Sequence, residues 1–401
     1  MAQQAPNPYN DAEARRALDE ALLERLRRGT PSTTSLTASV ALDLGPEEGW
    51  TVAIDGRRMS LAAGLDPKAD TTVIADPATI LEVFTGTTSG VAAFLDGRLR
   101  VRGNLALSLR LGGLFGGQES HPRFERAREV HAAGLKTFFL EAGTGPPVVL
   151  LHGLGATNAS MLPTLWDLSQ DHRVIAPDLP GFGESSKPIR SYDAAFYARW
   201  LVAFLDELGI ERASLIGNSM GGRVSIEGAL LSPERVERLA LFAPSPAFIK
   251  KRQFVDIVRV LRPELALLPV PIPHKQVVKS IKRLFAQPRR LADPWYDAAA
   301  DEFLRIFSTP RGRIAFFSAA RQIYLEEPHG DTGFWDRLKE LRTPSLFIWG
   351  RRDRLVPAGF ARHVEKALPN ATSVVLDDCG HMPQYEFPDK THELTRGFLA
   401  G

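Results

Sequence analysis

Cysteine is nearly missing from this chain: Cys379 is the only one in 401 residues. An intrachain disulfide is therefore impossible, which permits a reducing compartment without requiring one. No Cys- or His-rich cluster has metal-ligand spacing, so no metal is expected, and no cofactor is expected either. No stretch reaches the roughly 18 consecutive apolar residues of a membrane-spanning helix. Met1 to Asn10 is polar and contains proline, and it lacks the charged start and apolar run of a signal peptide. Leu399-Ala400-Gly401 is neither a lipidation nor a peroxisomal signal. A cytoplasmic location is the default expectation. Excess charge is missing too: 49 Lys and Arg face 47 Asp and Glu, so the chain carries no global nucleic-acid footprint.

What is present is an ordinary globular composition, 44% hydrophobic and 24% charged, over a length that accommodates two domains. We place the division at 1–118 and 119–401. In the first part, Asp11 to Arg28 reads as an amphipathic helix with Leu18, Leu22 and Leu26 on one stripe and Asn10 or Asp11 as its cap. Strand-like runs follow at Ser35–Leu44, Trp50–Ile54, Met59–Leu65 and Thr71–Ile74, separated by turn pairs such as Gly45-Pro46 and Asp55-Gly56. Pro77 opens a short helix over Ala78–Phe84. The run Val91–Leu95, the pair Asp96-Gly97 and the run Arg98–Arg102 read as a hairpin. Asn104 is placed to cap a leucine-rich helix, Leu105–Leu111. Helix plus antiparallel sheet makes this an α+β module. Its last helix has apolar residues on several faces, which reads as core packing or as the wall of an apolar ligand cavity.

These pieces resemble the sterol carrier protein lipid-binding domain over residues 15–115. The resemblance rests on Ala69 to Asp76, on the Leu81 to Gly86 helix, and on Phe94 to Asn104 with its aliphatic-Gly-Asn ending before an apolar helix. It implies a hydrophobic tunnel for fatty acyl chains or sterols, and it does not imply catalysis.

Gly112-Gly113, Gly116-Gly117 and Gln118–Pro122 read as a linker. Beyond it the grammar changes. After a hairpin-like run over Val130–Glu141, apolar strands alternate with helices: Val148–Leu151, Arg173–Ala176, Tyr192–Leu208, Ser214–Ile216, Gly222–Leu230, Leu239–Phe242, Ser345–Trp349, Phe360–Leu368, Ser373–Leu376 and Thr391–Leu399. That alternation predicts a mostly parallel sheet with helices on both faces.

Strand Ser214–Ile216 runs into Gly217-Asn218-Ser219-Met220-Gly221-Gly222, a Gly-x-Ser-x-Gly pattern followed by a helix. A serine on such a turn projects its oxygen above the sheet, with free N–H groups of the helix behind it. The pattern is weak alone in a chain with 33 glycines, and its position between strand and helix is what strengthens it. Strand Val148–Leu151 ends in His152-Gly153-Leu154-Gly155, where a second oxyanion donor belongs. The backbone N–H groups of Leu154 and Met220 are the candidates. His152 reads as a brace of that loop, the alternative being a catalytic histidine. Asp353 follows strand Ser345–Trp349, and His381 follows strand Ser373–Leu376 after a glycine. Ser219, Asp353 and His381 thus stand at strand ends in the chain order nucleophile, acid, base. The turn Asp178 to Ser185 lacks the Gly-Lys-Ser/Thr ending of a phosphate loop, so it reads as a wall of the site.

Residues 130–401 resemble the α/β-hydrolase superfamily. The matching segments are Leu151 to Gly155, Asp178 to Ser185, Gly217 to Gly222, Trp349 to Asp353 with Val356-Pro357, and Gly380-His381. The resemblance implies Ser219 as nucleophile, His381 as base, Asp353 as orienter and an inserted helical cap, here at about 245–338. The cap carries Phe248, Phe254, Ile257, Val260, Leu261, Leu265, Leu267, Leu268 and Val270, and the basic residues Lys250, Lys251, Arg252, Arg259, Lys275, Lys279, Lys282 and Arg283. It reads either as an amphipathic lid with a solvated basic face or as an apolar mouth making peripheral contact with an anionic membrane. The expected reaction is hydrolysis of an apolar or lipid-like carboxylic ester through an acyl-enzyme. Two alternatives stand beside it. The elbow also resembles carbon–carbon hydrolases of ring-cleavage dienoic acids, although their Ser-Gly-Pro-Gly loop is replaced here by Leu154-Gly155-Ala156. The other alternative is a lipid-binding or transfer protein with a weak hydrolase half.

Overall fold

The computed structural model describes residues 11–28, 37–45, 48–55, 58–105, 107–108, 126–247 and 271–401. Compactness divides the chain into two units, Met1–Arg126 with Asp293–Asp301, and Ala127–Ala292 with Glu302–Gly401.

The first unit is built on a five-stranded sheet of β1 (Thr37–Gly45), β2 (Glu48–Asp55), β3 (Arg58–Ala63), β4 (Thr71–Ile74) and β5 (Arg100–Gly103), ordered β3-β2-β1-β4-β5. Helix α1 (Asp11–Arg28) buries Ala14, Leu18 and Leu22, as its periodicity predicts, while the side chain of Leu26 and the cap residue Asn10 lie outside the described set. Helix α2 (Pro77–Thr85) begins at its proline, and the Asp76 carboxylate accepts the Thr79 N–H at 2.8 Å.

Two expectations fail in this unit. Val91–Leu95 is not a strand but part of helix α3 (Gly90–Leu95). The Ser89 hydroxyl accepts from Val91 N (3.0 Å) and Ala92 N (3.3 Å), which satisfies helical rather than ladder donors. Val91 and Phe94, three apart, share the buried face. A five-residue apolar run does not declare its period, and the cap decides it. Consequently β5 pairs with β4, and there is no 91–102 hairpin. The sheet is also not wholly antiparallel, because β1 and β4 run parallel with Val40 opposite Thr71. Gly103 explains the Gly-Asn ending. At φ +88°, a Cβ there would lie 2.6 Å from the Asp70 carbonyl oxygen. Asn104 Oδ1 then accepts the Leu107 N–H at 3.0 Å, the expected cap. Leu109–Leu111 and the 112–122 linker lie outside the described residues.

The second unit holds an eight-stranded sheet: β6 (Arg126–Ala132), β7 (Leu135–Ala142), β8 (Pro147–Leu151), β9 (Arg173–Pro177), β10 (Ala213–Asn218), β11 (Val236–Phe242), β12 (Ser345–Gly350) and β13 (Thr372–Leu376), ordered β13-β12-β11-β10-β8-β9-β7-β6. The five pairings from β9 through β8, β10, β11 and β12 to β13 are parallel, and β7 joins β9 antiparallel. The helices are α4 (Leu162–Leu168), α5 (Ala194–Glu207), α6 (Met220–Leu231), α7 (His274–Lys282), α8 (Asp293–Phe307), α9 (Pro310–Leu325), α10 (Phe334–Leu338), α11 (Phe360–Ala367), α12 (Pro383–Glu386) and α13 (Pro388–Ala400), with α8 shared between the units. The central strands are apolar and buried along their length, as strands covered on both faces must be. Around them pack Phe139, Leu151, Trp200, Phe204 and Leu215. The connections leaving the neighbours β8 and β10 run to opposite sides, to β9 and to β11, and a site in such a sheet forms beyond the carboxyl ends at that switch point. Of the cap residues named above, Phe248 to Val270 lie outside the described set, while Lys275, Lys279 and Arg283 are exposed. No described helix is long and apolar enough to cross a membrane.

Candidate active site

The site starts with the turn between β10 and α6. Ser219 has φ +54° and ψ −115°, a conformation L-residues avoid, and its neighbours hold it there. Its N–H donates to the Phe242 carbonyl at 2.9 Å, and its carbonyl accepts from Ser245 N at 2.9 Å. The turn is tight enough to require its glycines: a Cβ on Gly221 would stand 2.0 Å from the Leu151 carbonyl oxygen. Strand β8 therefore passes directly beside the start of α6.

Asp353 and His381 meet at 2.7 Å, through Oδ2 and Nδ1. The Asp353 side chain is wholly buried, so it is not the solvated turn residue its flanking arginines suggest. Those arginines pair elsewhere, Arg351 with Asp377 at 2.5 Å and Arg352 with Asp378 at 2.8 Å. The other carboxylate oxygen accepts from Leu355 N (2.7 Å) and Val356 N (2.9 Å), which fixes the rotamer. Ser219 Oγ lies 3.3 Å from Ser245 Oγ, and no hydrogen bond joins it to His381 among the described residues. Catalytic bonds are commonly long before a substrate arrives.

The two candidate oxyanion donors are Met220, next in the chain to the serine, and Leu154, on the loop whose Gly153 faces it, where a Cβ would lie 3.4 Å from Ser219 Cβ. Met220 is the first residue of α6, whose leading N–H groups have no acceptor within the helix. The Leu154 N–H has no hydrogen-bond acceptor among the described residues. His152 is committed to structure. Its Nδ1 meets the Gly153 carbonyl at 2.8 Å, so that nitrogen carries the proton, and Nε2 accepts the Leu179 N–H at 2.9 Å. Complete burial lowers its pKa to about 4 and keeps the ring neutral. Asp178, at the start of the 178–185 turn, is also fully buried and accepts from Asn158 N and Glu184 N, both at 2.8 Å.

Three residues missed by sequence reasoning belong here. Ser245, just past β11, meets the Ser219 hydroxyl. Asn218 Nδ2 donates to the Phe242 carbonyl (3.0 Å) and the His381 carbonyl (3.2 Å), tying the elbow to the histidine loop. Glu386 is 4% exposed and accepts the N–H groups of Gly380 (2.7 Å) and Ala286 (2.8 Å), while His381 N donates to Leu284 O at 2.7 Å. Burial holds the Glu386 carboxyl above its ordinary range, and those backbone donors oppose the shift. Cys379 beside it is no rival nucleophile, since burial first and the nearby Glu386 charge second push its thiol far up. Above the 152–155 loop stands a wall of rings. A Cβ on Gly155 would come within 2.9 Å of Phe316 and 3.2 Å of Phe303, and these pack with Phe307 and Phe317 at centroid spacings of 5.3 to 5.7 Å.

Comparison with known proteins agrees with this architecture. Residues 146–388 match the alpha/beta hydrolase fold family and residues 20–116 match the SCP-2 sterol transfer family. The chain is 30% identical over 290 residues to a 2-hydroxymuconate semialdehyde hydrolase of Pseudomonas putida, covering 69% of this chain and 95% of that protein. Among solved structures, a bacterial membrane phospholipase A described as a virulence factor is similar at a TM-score of 0.58 and 29% identity, over 69% of this chain and 86% of that one. A meta-cleavage product hydrolase from Pseudomonas fluorescens IP01 is similar at a TM-score of 0.57 and 25% identity, over 68% and 97%. The chain belongs to the α/β-hydrolase fold family and carries an N-terminal domain of the SCP-2 sterol transfer family.

Proposed function

We propose that the protein is a serine carboxylic-ester hydrolase acting on apolar esters through an acyl-enzyme. Ser219 Oγ attacks the ester carbonyl while His381 Nε2 takes its proton. Asp353 holds the imidazole with Nδ1 protonated and stabilises the imidazolium. The N–H groups of Leu154 and Met220 receive the oxyanion. Collapse expels the alcohol, which takes the proton from His381. Water then gives a proton to His381 and adds to the acyl carbon, and the new tetrahedral intermediate breaks its bond to Ser219 Oγ, which takes that proton back as the acid leaves. The observation that supports this reading is the buried Asp353–His381 contact, tied through Asn218 to a strained Ser219, with the Leu154 and Met220 amides lacking acceptors among the described residues.

The substrate class rests on the rings of Phe303 and Phe316 over the oxyanion loop, which favour an aliphatic or aromatic acyl group. We assign residues 119–401 to hydrolysis and residues 1–118 to lipid binding, in keeping with the sterol-transfer family match. The exposed Lys275, Lys279 and Arg283 suit contact with anionic headgroups. Cosedimentation with phosphatidylglycerol vesicles but not with phosphatidylcholine vesicles is the expected result, and equal behaviour with both would remove that contact from the account.

A second reading, carbon–carbon hydrolysis of a ring-cleavage dienoic acid, is favoured by the similarity to 2-hydroxymuconate semialdehyde hydrolase. The two separate by kcat/KM for a medium-chain 4-nitrophenyl ester against that semialdehyde. The ester should win by at least about 100-fold, roughly 3 kcal/mol of transition-state stabilisation. Preference for the semialdehyde would reverse the assignment.

A further inference from the structure

A cavity of about 180 Å³ lies among α6, α9 and the start of α5. It is not the site described above, because neither Ser219 nor His381 nor Asp353 lines it. It ends on Met220, the residue after the nucleophile, and α6 turns Met220, Arg223, Val224 and Glu227 towards it as one helical face.

The walls select a ligand. Tyr192 and Tyr197 send their hydroxyls to backbone carbonyls, of Pro188 at 2.7 Å and Pro180 at 3.1 Å, so their rings offer carbon to the cavity. Arg223 is held by two carboxylates through Nε and Nη2. It bonds Glu227 at 2.8 Å and Glu326, and its guanidinium lies 3.8 Å from the centre of the Phe334 ring. Arg337 backs the same two carboxylates, through both Glu227 oxygens and at 3.1 Å to Glu326. Two guanidinium groups thus face Glu227 and Glu326, and Asp193 adds a third carboxylate, so the net negative charge of these walls disfavours an anion. Glu326 takes both of its arginine bonds on Oε1, so Oε2 is an acceptor without a donor among the described residues, on a side chain that is 18% exposed. A ligand that fits these walls is apolar, not anionic, and carries a donor for that oxygen. A cavity of about 150 Å³ holds a benzene-sized molecule, so this one suits six or seven heavy atoms.

We propose that this cavity is a second binding site, for a short alkyl molecule bearing one hydroxyl, and that its occupancy is felt at the nucleophile through Met220. The probe is 1-hexanol on the full chain, with binding read by saturation-transfer NMR and coupling read by the rate at which a phosphonate ester labels Ser219. Labelling avoids turnover, in which an alcohol could itself accept the acyl group. Wild type should bind 1-hexanol saturably with a Kd on the order of 1 mM. Hexanoate and the donor-less 1-methoxypentane should each bind at least about fivefold more weakly. Ala319→Phe fills the buried floor, and Ala195→Trp covers the mouth from an exposed position that folding does not depend on. Each should weaken hexanol binding about tenfold, and at saturation the wild-type labelling rate should change by about twofold or more.

Equal hexanol binding by wild type and Ala195→Trp would overturn the site. Hexanoate binding as tightly as hexanol would overturn its chemistry, and binding without a change in labelling would overturn the coupling. Because the NMR arm needs no catalysis, it decides the site even if the chain hydrolyses no ester.

Discussion

Asp353 does two jobs with two oxygens, one holding its own loop through the amides of Leu355 and Val356 and the other holding His381. Asp353→Asn keeps the first function and spoils the second, because an amide NH2 facing Nδ1 forces the wrong tautomer. Hydrolysis should fall about 10³- to 10⁴-fold while the melting temperature stays near wild type. A loss under tenfold would remove Asp353 from the mechanism. His152 gives a prediction in pH. Its folded-state pKa, about 4, lies below the ordinary 6.5, so the unfolded chain takes up the proton first as the solution is acidified. The stability this neutral ring confers is complete above about pH 6.5 and drains away as pH falls towards 4, by up to about 3 kcal/mol. His152→Gln, which still offers the Leu179 amide an acceptor, should show a flatter urea-unfolding profile across that window. Parallel profiles would mean that the buried ring does not control acid stability. Ser219, Asp353 and His381 were legible in the sequence because each follows an apolar strand in a fixed order. Ser245, Asn218 and Glu386 were not, since each acts across the fold on a partner that only the assembled sheet brings near. The place of Ser245 at the carboxyl end of β11 was the one available signal.

At the level of elements, the same limit appears in the 91–102 segment. Its apolar run fitted strand and helix equally, and the deciding contact was the Ser89 cap. Ser89→Ala should therefore destabilise the first unit by about 1 kcal/mol in urea unfolding. In the second unit the regular alternation of apolar strands with helices removed that choice, and the predicted strand bounds differ from the observed ones by only a few residues. Glu386 in α12 couples two segments that the sequence keeps far apart, the 284–287 stretch after α7 and the loop bearing His381. Glu386→Gln keeps one acceptor oxygen, enough for the Gly380 amide of the His381 loop, at the cost of the Ala286 contact, and should stay within a few-fold of wild-type kcat. Glu386→Ala releases both amides and should lose about 10- to 100-fold in kcat with KM little changed, the cost of displacing the imidazole by about 1 Å. Equal activity in both variants would make the contact irrelevant to catalysis.

For the whole molecule, the proposal joins a lipid-binding part to a hydrolytic part, and the division of labour is measurable. A series of 4-nitrophenyl esters from acetate to palmitate, assayed with the full chain and with residues 119–401, should give equal rates on short esters. Truncation should then slow long ones selectively, because a sterol-carrier module contributes only to substrates it can hold. Identical profiles would make the two parts independent. Beneath that stands the claim on which everything else depends, that Ser219 becomes acylated. The most direct measurement is intact-protein and peptide mass spectrometry after brief exposure to 4-nitrophenyl octanoate, using wild type and Ser219→Ala. The account predicts one octanoyl group on the peptide containing Ser219 and none in the variant. An unmodified Ser219 peptide during active turnover, or equal acylation of the variant, would contradict it.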